Sequence, residues 1–225
     1  MPPRRASSRC AAQTIHPGTI AKVTSNREVP EQTALNGCRV LGAVLSRYIG
    51  VMSNDEGSTT IRPMRVADAE EVANIWSAGW RDGHLGHVPD ELLAVRTMQS
   101  FRERASRRVG DTVVALIDDA LVGFVMVVDD EVEQVYVVGH QRGTAVAAVL
   151  LAEAERLVRA GGHQRAWLAV VAGNERARRF YHRNGWIDEG LFDYPAASAA
   201  GPISVPCHRY VKQVTGPAGQ ASGSE

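Results

Sequence analysis

The sequence predicts a mixed α/β domain built on a mostly antiparallel sheet, and three observations support this fold class. Three apolar segments of strand length follow one another over residues 111–138, separated only by short acidic turns, which is typical of an antiparallel meander. A long amphipathic helix runs from Ala145 to the glycine pair at residues 161–162. The nearly continuous apolar run at residues 165–172 indicates a strand buried on both faces, as in a parallel pair joined by a helical crossover.

The other segments bring the expected count to about seven strands and about four helices. Residues 59–66 alternate like a strand, and an amphipathic helix follows Asp68, which with Glu71 resembles a capping box. Residues 89–108 are predicted to form one further helix. "NERARRFYHRNG" predicts a short helix capped by Asn174, and "WIDEGLF" and "ISVPCHRYVKQV" predict the last strands. The predicted order is β-α-α-β-β-β-α-β-α-β-β.

Composition limits the classes of partner. The 225 residues are 44% hydrophobic, enough for one good-sized domain, and 25 basic residues balance 25 acidic ones. That balance gives no electrostatic argument for a nucleic acid or a membrane surface as partner, and no apolar run reaches transmembrane length. The three cysteines, Cys10, Cys38 and Cys207, lie far apart, which speaks against disulfides or structural zinc and favours a reducing cytoplasm.

The two ends of the chain differ from the domain expected over residues 58–214. Residues 1–57 contain many breakers and no sustained period, so we expect a disordered extension. Met52 precedes the polar stretch "SNDEGSTT" and is a candidate for the native start. Residues 215–225 are small and polar, which predicts a disordered tail.

The turn before the long helix carries the first chemical signal. In "VYVVGHQRGTAVAAVLL" this turn contains Arg142 and Gly143, and the first N–H groups of the helix have no partner inside it. Because these groups carry partial positive charge, they could hold a pyrophosphate. The G-K-[ST] of a Walker A loop and the G-x-G-x-x-G of a Rossmann loop are both missing. The segment is therefore either a phosphate loop of another kind or an ordinary helix start.

Two segments and their spacing favour the phosphate loop. Arg142-Gly143-Thr144-Ala145-Val146-Ala147 matches R-x-x-G-x-G/A, and "NERARRFYHRNGW" matches N-x-x-A-x-x-F-Y-x-x-x-G-F with Trp186 as the last aromatic residue. With the order of elements over residues 59–214, these segments resemble the GNAT acetyltransferase superfamily and its acyl-CoA loop. Ala145 departs from the usual glycine. An alanine adopts a helical φ,ψ without strain, although its methyl group could weaken acyl-CoA binding.

The resemblance implies acetyl-CoA as co-substrate and direct attack by a primary amine on its acetyl group. Residues 142–147 would hold the pyrophosphate, and backbone groups of Val137 and Val138 would meet the pantetheine arm. Tyr181 shares a helix face with Asn174 and would protonate the departing thiolate. The alternative for Tyr181 is a core aromatic residue with a satisfied hydroxyl.

The general base and the acceptor pocket stay open at this point. Glu131 and Glu133 are two residues apart, which puts both carboxylates on one side of their strand, although a solvated acidic edge is an equal alternative. The family's loop after the first helix lines the acceptor site, and here it holds two histidines that are the other base candidates; two lone histidines make no metal site. The predicted acceptor-site residues are Trp80, His84, His87 and Tyr136. The aromatic pair could equally be packing residues.

The sequence therefore predicts an N-acetyltransferase, with a small-molecule amine or a protein amine as acceptor. The alternative is a GNAT-like module that binds acyl-CoA without catalysis and acts as a sensor or partner. We expect a cytoplasmic protein that uses no metal and binds no nucleic acid or membrane, and a homodimer involving the last strand stays open. A basic run is predicted to be a solvated helix end: Arg102, Arg104, Arg107 and Arg108.

Overall fold

Seven strands form one sheet in residues 58–215, the part of the chain that the computed structural model describes. They are β1 (Thr60–Pro63), β2 (Thr112–Ile117), β3 (Ala120–Val128), β4 (Glu131–Val137), β5 (Arg165–Val171), β6 (Ile187–Ala196) and β7 (Ile203–Gln213). Their order across the sheet is β1-β2-β3-β4-β5-β7-β6. Only β4 and β5 are parallel neighbours. The predicted mixed fold, with its parallel β4–β5 pair, is confirmed.

Five α-helices lie in the same range, one more than predicted. They are α1 (Ala69–His84), α2 (Asp90–Val95), α3 (Met98–Arg107), α4 (Val146–Ala160) and α5 (Glu175–Arg183). The expectation of a single helix over residues 89–108 was wrong. The break comes at Thr97, whose extended backbone (φ −80°, ψ 162°) lets its side chain accept a hydrogen bond from the Ser100 N–H. Because such a side chain satisfies a first-turn N–H group, it starts a new helix.

Two apolar cores lie on the two faces of the sheet, since alternate strand residues point to opposite sides. On one face, α1 and α3 bring Trp76 and Phe101 together, and Trp76 also packs on Phe124 of β3; the ring centroids lie 5.5 and 5.9 Å apart. On the other face, Leu150 of α4 and Trp186 belong to the second core. The sheet is therefore covered on both faces, and a ligand can reach its interior only where the regular strand pairing is interrupted.

The first defect is a β-bulge in β4. The pairing of β4 with β3 skips Glu133, which is an extra residue in its strand. Because a bulge interrupts the alternation of side chains, Val132 and Val135 both join the core on the α4 side although they are three residues apart. The side chain of Glu133 then lies on the α3 side, where it meets arginines of that helix and of the turn after it.

The second defect is the limited pairing of β4 with β5. The two strands pair at Glu131 and Trp167, and no further register pair joins them. At this point the Trp167 backbone N–H donates to the Asp130 carbonyl at 2.9 Å, and its Nε1–H donates to the Asp130 carboxylate at 3.0 Å. Towards their C-terminal ends the strands part and leave a space between them.

Several expectations lie outside the described residues. These are the disordered extension at residues 1–57, the candidate start at Met52 and all of the predicted tail beyond residue 215. Within residues 58–215, no helix combines the length and apolar character needed to cross a membrane.

Glu155 joins α4 to the segment before β6 and to β7, and we expect its removal to destabilise the fold. Its Oε1 accepts hydrogen bonds from Trp186 Nε1–H at 3.0 Å and from Lys212 Nζ at 2.8 Å. Because Trp186 is only 1% exposed, its N–H cannot turn to water instead. Glu155→Ala should lower the free energy of unfolding by about 1–3 kcal/mol in urea denaturation.

The matched control is Glu175→Ala on α5. Its carboxylate makes an exposed ion pair with Arg179 at 3.0 Å, and such surface pairs contribute little to stability. If Glu155→Ala loses no more stability than this control, the bonds to Trp186 and Lys212 are not what joins the elements.

Candidate active site

Two cavities meet where β4 and β5 part. The first, which we call the loop cleft, has a volume of about 440 Å³ and is lined by the turn before α4, by β4 and by α5. The second, the strand cavity, has a volume of about 310 Å³ and is lined by β4, β5, the α2–α3 region and the end of β6. Five residues line both: Val135, Tyr136, Asn174, Ala177 and Tyr181. A ligand in one cavity can therefore reach a ligand in the other at these residues.

The turn before α4 has the conformation that an anion-binding loop needs. Gly143 has a positive φ of 86°, which favours glycine. Ala145 adopts a helical conformation (φ −72°, ψ −15°) and is exposed, so the alanine fits here without strain. The N–H groups of Ala145, Ala147 and Ala148 make no hydrogen bond within residues 58–215. They are therefore available at the positive end of the helix.

Three arginines line the loop cleft. Arg142, predicted from the sequence, makes an ion pair with Asp82 of α1. Arg176 and Arg183 of α5 also line the cleft, and the sequence analysis missed them. Their spacing of seven residues puts them on one helix face, so the helical period was the signal that could have found them. The cleft thus combines free backbone N–H groups with guanidinium groups, as a polyphosphate ligand requires.

The end of β4 offers backbone groups to the space between the strands. Val138 donates its N–H to the Val122 carbonyl of β3 at 2.8 Å, so this N–H is not free, and Val138 lines neither cavity. In an antiparallel pair the hydrogen-bonding direction alternates along the strand. The N–H and C=O groups of Val135 and Val137 therefore point away from β3, towards the gap, and both residues line the loop cleft.

Tyr181 stands at the junction of the two cavities. Its ring packs against Phe180 and Trp186, with centroids 5.2 and 6.1 Å away. Burial raises the pKa of its hydroxyl, so the phenol keeps its proton at neutral pH. That hydroxyl makes no hydrogen bond within residues 58–215. Asn174 lies nearby as the cap of α5, because its Oδ1 accepts the Ala177 N–H at 3.1 Å.

The two candidate bases differ in their surroundings, although both line the strand cavity. The carboxylate of Glu133 lies 3.6 Å from Arg104 and 3.1 Å from Arg108 and is held as an ion-pair partner. Glu131 accepts the Tyr194 hydroxyl at 3.0 Å. Burial, and then the charges of Glu133 and Asp130, raise the pKa of Glu131 above its ordinary value. Of the two, Glu131 is the one whose surroundings favour taking up a proton.

The four arginines of the basic run lie in α3 and directly after it, and they are not all exposed to solvent as predicted. Arg102 and Arg107 make exposed ion pairs, as expected of surface residues. Arg104 and Arg108 line the strand cavity, where the guanidinium of Arg104 also lies 4.3 Å from the Trp76 ring centroid. The prediction was wrong for these two because the bulge in β4 presents a carboxylate to them, which the spacing of the arginines does not reveal.

Of the two predicted histidines, only His84 lines the strand cavity. Its ring stacks on Trp80, which also lines the cavity, with centroids 4.7 Å apart, and burial lowers its pKa to about 4. The neutral ring donates Nδ1–H to the Trp80 carbonyl at 2.8 Å, which leaves Nε2 as an acceptor. His87 is exposed, lies against Gly173 and lines neither cavity. Within residues 58–215, no three His, Cys, Asp or Glu side chains are grouped as a metal site would need.

Comparison with known families agrees with this geometry. The model of the family described as "Acetyltransferase (GNAT) family" matches residues 69–186, just over half of the chain. The chain belongs to the GNAT acetyltransferase family. The match spans α1, the meander, the turn before α4 and α5, so it covers every wall of the loop cleft. A search of curated proteins found no match.

Solved structures show the same GNAT fold. The domain is similar to a "GCN5-Related N-acetyltransferase: Aminotransferase, Class-II" from Rhodopseudomonas palustris, with 20% identity, coverage of 73% of this chain and 99% of that chain, and a TM-score of 0.55. It is similar to PaiA N-acetyltransferase from Thermoplasma acidophilum in complex with coenzyme A, with 18% identity, coverage of 69% of this chain and 99% of that chain, and a TM-score of 0.53. It is also similar to YncA from Salmonella typhimurium with its cofactor acetyl-CoA. The identity is 17%, the coverage is 76% of this chain and 99% of that chain, and the TM-score is 0.53.

Gly79 of α1 leaves the room that Tyr136 occupies in this GNAT domain. A Cβ at position 79 would lie 2.3 Å from Tyr136 Cδ1, so Gly79→Ala must displace the ring at the junction of the two cavities. We expect acetyl-CoA binding, measured by calorimetry, to weaken about tenfold or more, since overpacking costs about 1–3 kcal/mol. Gly110→Ala is the control, because its Cβ would meet nothing within 4 Å. Equal affinities of the two variants would mean that Tyr136 can move without consequence.

Proposed function

We propose that this GNAT domain transfers the acetyl group of acetyl-CoA to a primary amine by direct attack. The observation that carries the proposal is the meeting of two cavities at Tyr136 and Tyr181, one suited to a polyphosphate ligand and the other lined by carboxylates. A bisubstrate reaction needs both ligands to reach one point while the remainder of each is held apart. The gap between β4 and β5 meets that requirement.

The loop cleft is the proposed site for acetyl-CoA, which supplies an acetyl thioester. The N–H groups at the start of α4 and the arginines Arg142, Arg176 and Arg183 would bind its phosphates. The backbone groups of Val135 and Val137 would bind the pantetheine arm and donate to the thioester carbonyl oxygen. Val138 has no role in this proposal, since its N–H donates to the Val122 carbonyl of β3 and its own carbonyl accepts the Gln141 N–H at 3.0 Å.

Tyr181 is the proposed general acid. Its phenol stays protonated because burial raises its pKa, and its hydroxyl has no competing partner within residues 58–215. It can therefore donate its proton to the sulfur as the thiolate departs. Burial also raises the pKa of the nearby Tyr136 hydroxyl, so both phenols stay uncharged at neutral pH where the two cavities meet.

Glu131 is the proposed general base. A raised pKa makes a carboxylate a better proton acceptor, and Glu131 lines the cavity where the amine would lie. The hydrogen bond from Tyr194 fixes its orientation. Glu133 serves instead as the anion that holds Arg104 and Arg108 in place, and neutral His84 would accept a hydrogen bond from the amine through Nε2.

The setting proposed for the reaction follows from the sequence. The scattered cysteines support a cytoplasmic enzyme that needs no metal, and the balanced charge gives no electrostatic argument for a nucleic-acid or membrane partner. Association into a homodimer stays a prediction.

The test of this proposal has two steps. Acetyl-CoA should raise the melting temperature of the protein, and a panel of primary amines should then release free thiol from acetyl-CoA in its presence. The panel includes polyamines, amino sugars, amino acids and lysine-containing peptides. Stabilisation without thiol release from any amine would favour a non-catalytic acyl-CoA-binding module, and no stabilisation would count against both functions.

Replacing Tyr181 with Phe separates its chemical role from its packing role. Tyr181→Phe keeps the ring and removes the acidic proton, so kcat should fall about 10²-fold or more while the Kd for acetyl-CoA changes little. Tyr210→Phe is the control, because Tyr210 packs on Tyr181 with centroids 5.9 Å apart yet lines neither cavity. An undiminished kcat in Tyr181→Phe would remove this residue as the acid.

The pH dependence should report Glu131. A base acts only when deprotonated, so kcat/KM should fall as the pH drops through the pKa of Glu131, which lies above the ordinary 4.5. Glu131→Gln should abolish this limb and lower kcat/KM at neutral pH by about 10²-fold. Glu103→Gln, an exposed residue paired with Arg107, should leave the profile unchanged. A limb that persists in Glu131→Gln belongs to another group.

A further inference from the structure

The strand cavity contains more cationic than anionic side chains. Its charged lining residues are Arg96, Arg104, Arg108, Glu131 and Glu133. Glu133 is shared between Arg104 and Arg108, and Glu131 accepts a hydrogen bond from Tyr194. Arg96 makes no ion pair with any residue of 58–215. Arg108 also pairs with Asp111 at 3.0 Å, which leaves Arg96 as the arginine of the cavity wall without an ion-pair partner among the described residues.

One edge of the Arg96 guanidinium has no hydrogen-bond partner within residues 58–215. Its Nη1 donates to the Ala197 carbonyl at 2.9 Å, which fixes the group at the end of β6. Its Nε is buried and has no hydrogen-bond partner within the described residues, and its Nη2 has none there either. The Nε and Nη2 atoms together form the edge that binds a carboxylate through two parallel hydrogen bonds.

An anion at this edge would relieve an unfavourable arrangement. Burial, followed by the nearby charge of Arg104, lowers the pKa of Arg96 to about 10, so the group remains protonated at neutral pH. A buried cation with an unpaired N–H is destabilising unless it gains a partner. Tyr136, Tyr194 and Glu133 interact with the same charge, which places Arg96 among the residues that line the cavity.

We propose that the acceptor is a small amine that also carries a carboxylate, and that the free edge of the Arg96 guanidinium binds this carboxylate. The proposal rests on acetyl transfer at this site. The cavity volume of about 310 Å³ suits a small molecule rather than a protein surface. A planar carboxylate needs the two donors of one edge. A tetrahedral phosphate would need further donors, and the nearby guanidinium groups of Arg104 and Arg108 are already paired with Glu133.

The amine of such a molecule would face the catalytic residues. Glu131 and Tyr181 line the same cavity as Arg96, so a zwitterion can present its amine to them while its carboxylate binds the arginine. This arrangement makes Arg96 a specificity-determining residue, because it would orient the nucleophile without touching the reacting atoms.

The experiment compares amino acids with their own carboxamides. Thiol release from acetyl-CoA is measured with glycine, L-alanine, L-leucine, L-phenylalanine and L-glutamate, and with each α-carboxamide, which lacks the α-carboxylate, and every KM is expressed as the concentration of the free amine. We expect at least one acid to have a kcat/KM about tenfold or more above that of its amide, with the difference mainly in KM. 1-Aminoethylphosphonate is the phosphate-type probe and should be a poorer substrate than L-alanine.

Substitutions at Arg96 test the residue itself. Arg96→Gln should raise the KM for the preferred acid about tenfold or more, while the KM for its amide and the kcat for both stay nearly unchanged. Arg96→Lys restores the charge without the forked edge and should recover part of the loss. Arg102→Gln is the matched control, since Arg102 pairs with Glu70 on the surface and lines neither cavity. Circular dichroism checks that each variant is folded.

Failure of the carboxylate site can be told apart from failure of acetyl transfer. Equal KM values for acid and amide, an unchanged KM in Arg96→Gln, or a preference for the phosphonate would each overturn the carboxylate site. If no amine releases thiol, calorimetry with N-acetyl-L-alanine, N-acetyl-L-phenylalanine and their amides in the presence of CoA decides. Tighter binding of the acids that is lost in Arg96→Gln supports the site, and equal binding overturns it.

Discussion

The parting of two parallel strands is the constraint on which this structure depends. β4 and β5 pair at one position, anchored by Trp167 on Asp130, and then diverge inside a sheet that is otherwise paired throughout. Backbone groups left unpaired in a buried sheet are costly, so the groups at the gap need a ligand, a side chain or water as partner. The bulge at Glu133 also shapes the space between the strands, because it turns the Glu133 side chain towards the arginines of α3 and of the turn after it.

Local charge separation explains how a chain of zero net charge could hold the two anionic ligands proposed above. The 25 basic and 25 acidic residues cancel over the whole sequence. The walls of the loop cleft nevertheless include Arg142, Arg176 and Arg183, and the strand cavity includes three more arginines against two glutamates. Electrostatic attraction in a partly enclosed site depends on these nearby groups far more than on total charge. Net charge therefore says little about ligands here.

The predictable parts of the fold and site are those set by short-range patterns. The meander, the loop at Arg142 and Gly143, the Asn174 cap and the position of Tyr181 in a helix that follows a buried strand all depend on spacing along the chain. The split of residues 89–108 depends on a single capping threonine inside a helical pattern, and propensity alone does not separate it from a continuous helix. The place of three arginines in the strand cavity depends on the β4 bulge and on the end of β6: Arg96, Arg104 and Arg108. Both features are distant from these arginines in sequence, and no local sequence pattern predicts the contacts.

The ion pair between Arg142 and Asp82 has a consequence for which anions the loop can select. An anion arriving there would not meet a free guanidinium; it would have to replace the Asp82 carboxylate as the partner of Arg142. A monovalent ion such as acetate would replace Asp82 like for like and gain almost nothing. A diphosphate also reaches the unpaired N–H groups at the start of α4 and so has a net gain in bonds. If the loop binds a diphosphate as proposed, Asp82 would compete with that ligand for Arg142, and the bonds to the helix N–H groups would favour the diphosphate over a monovalent anion.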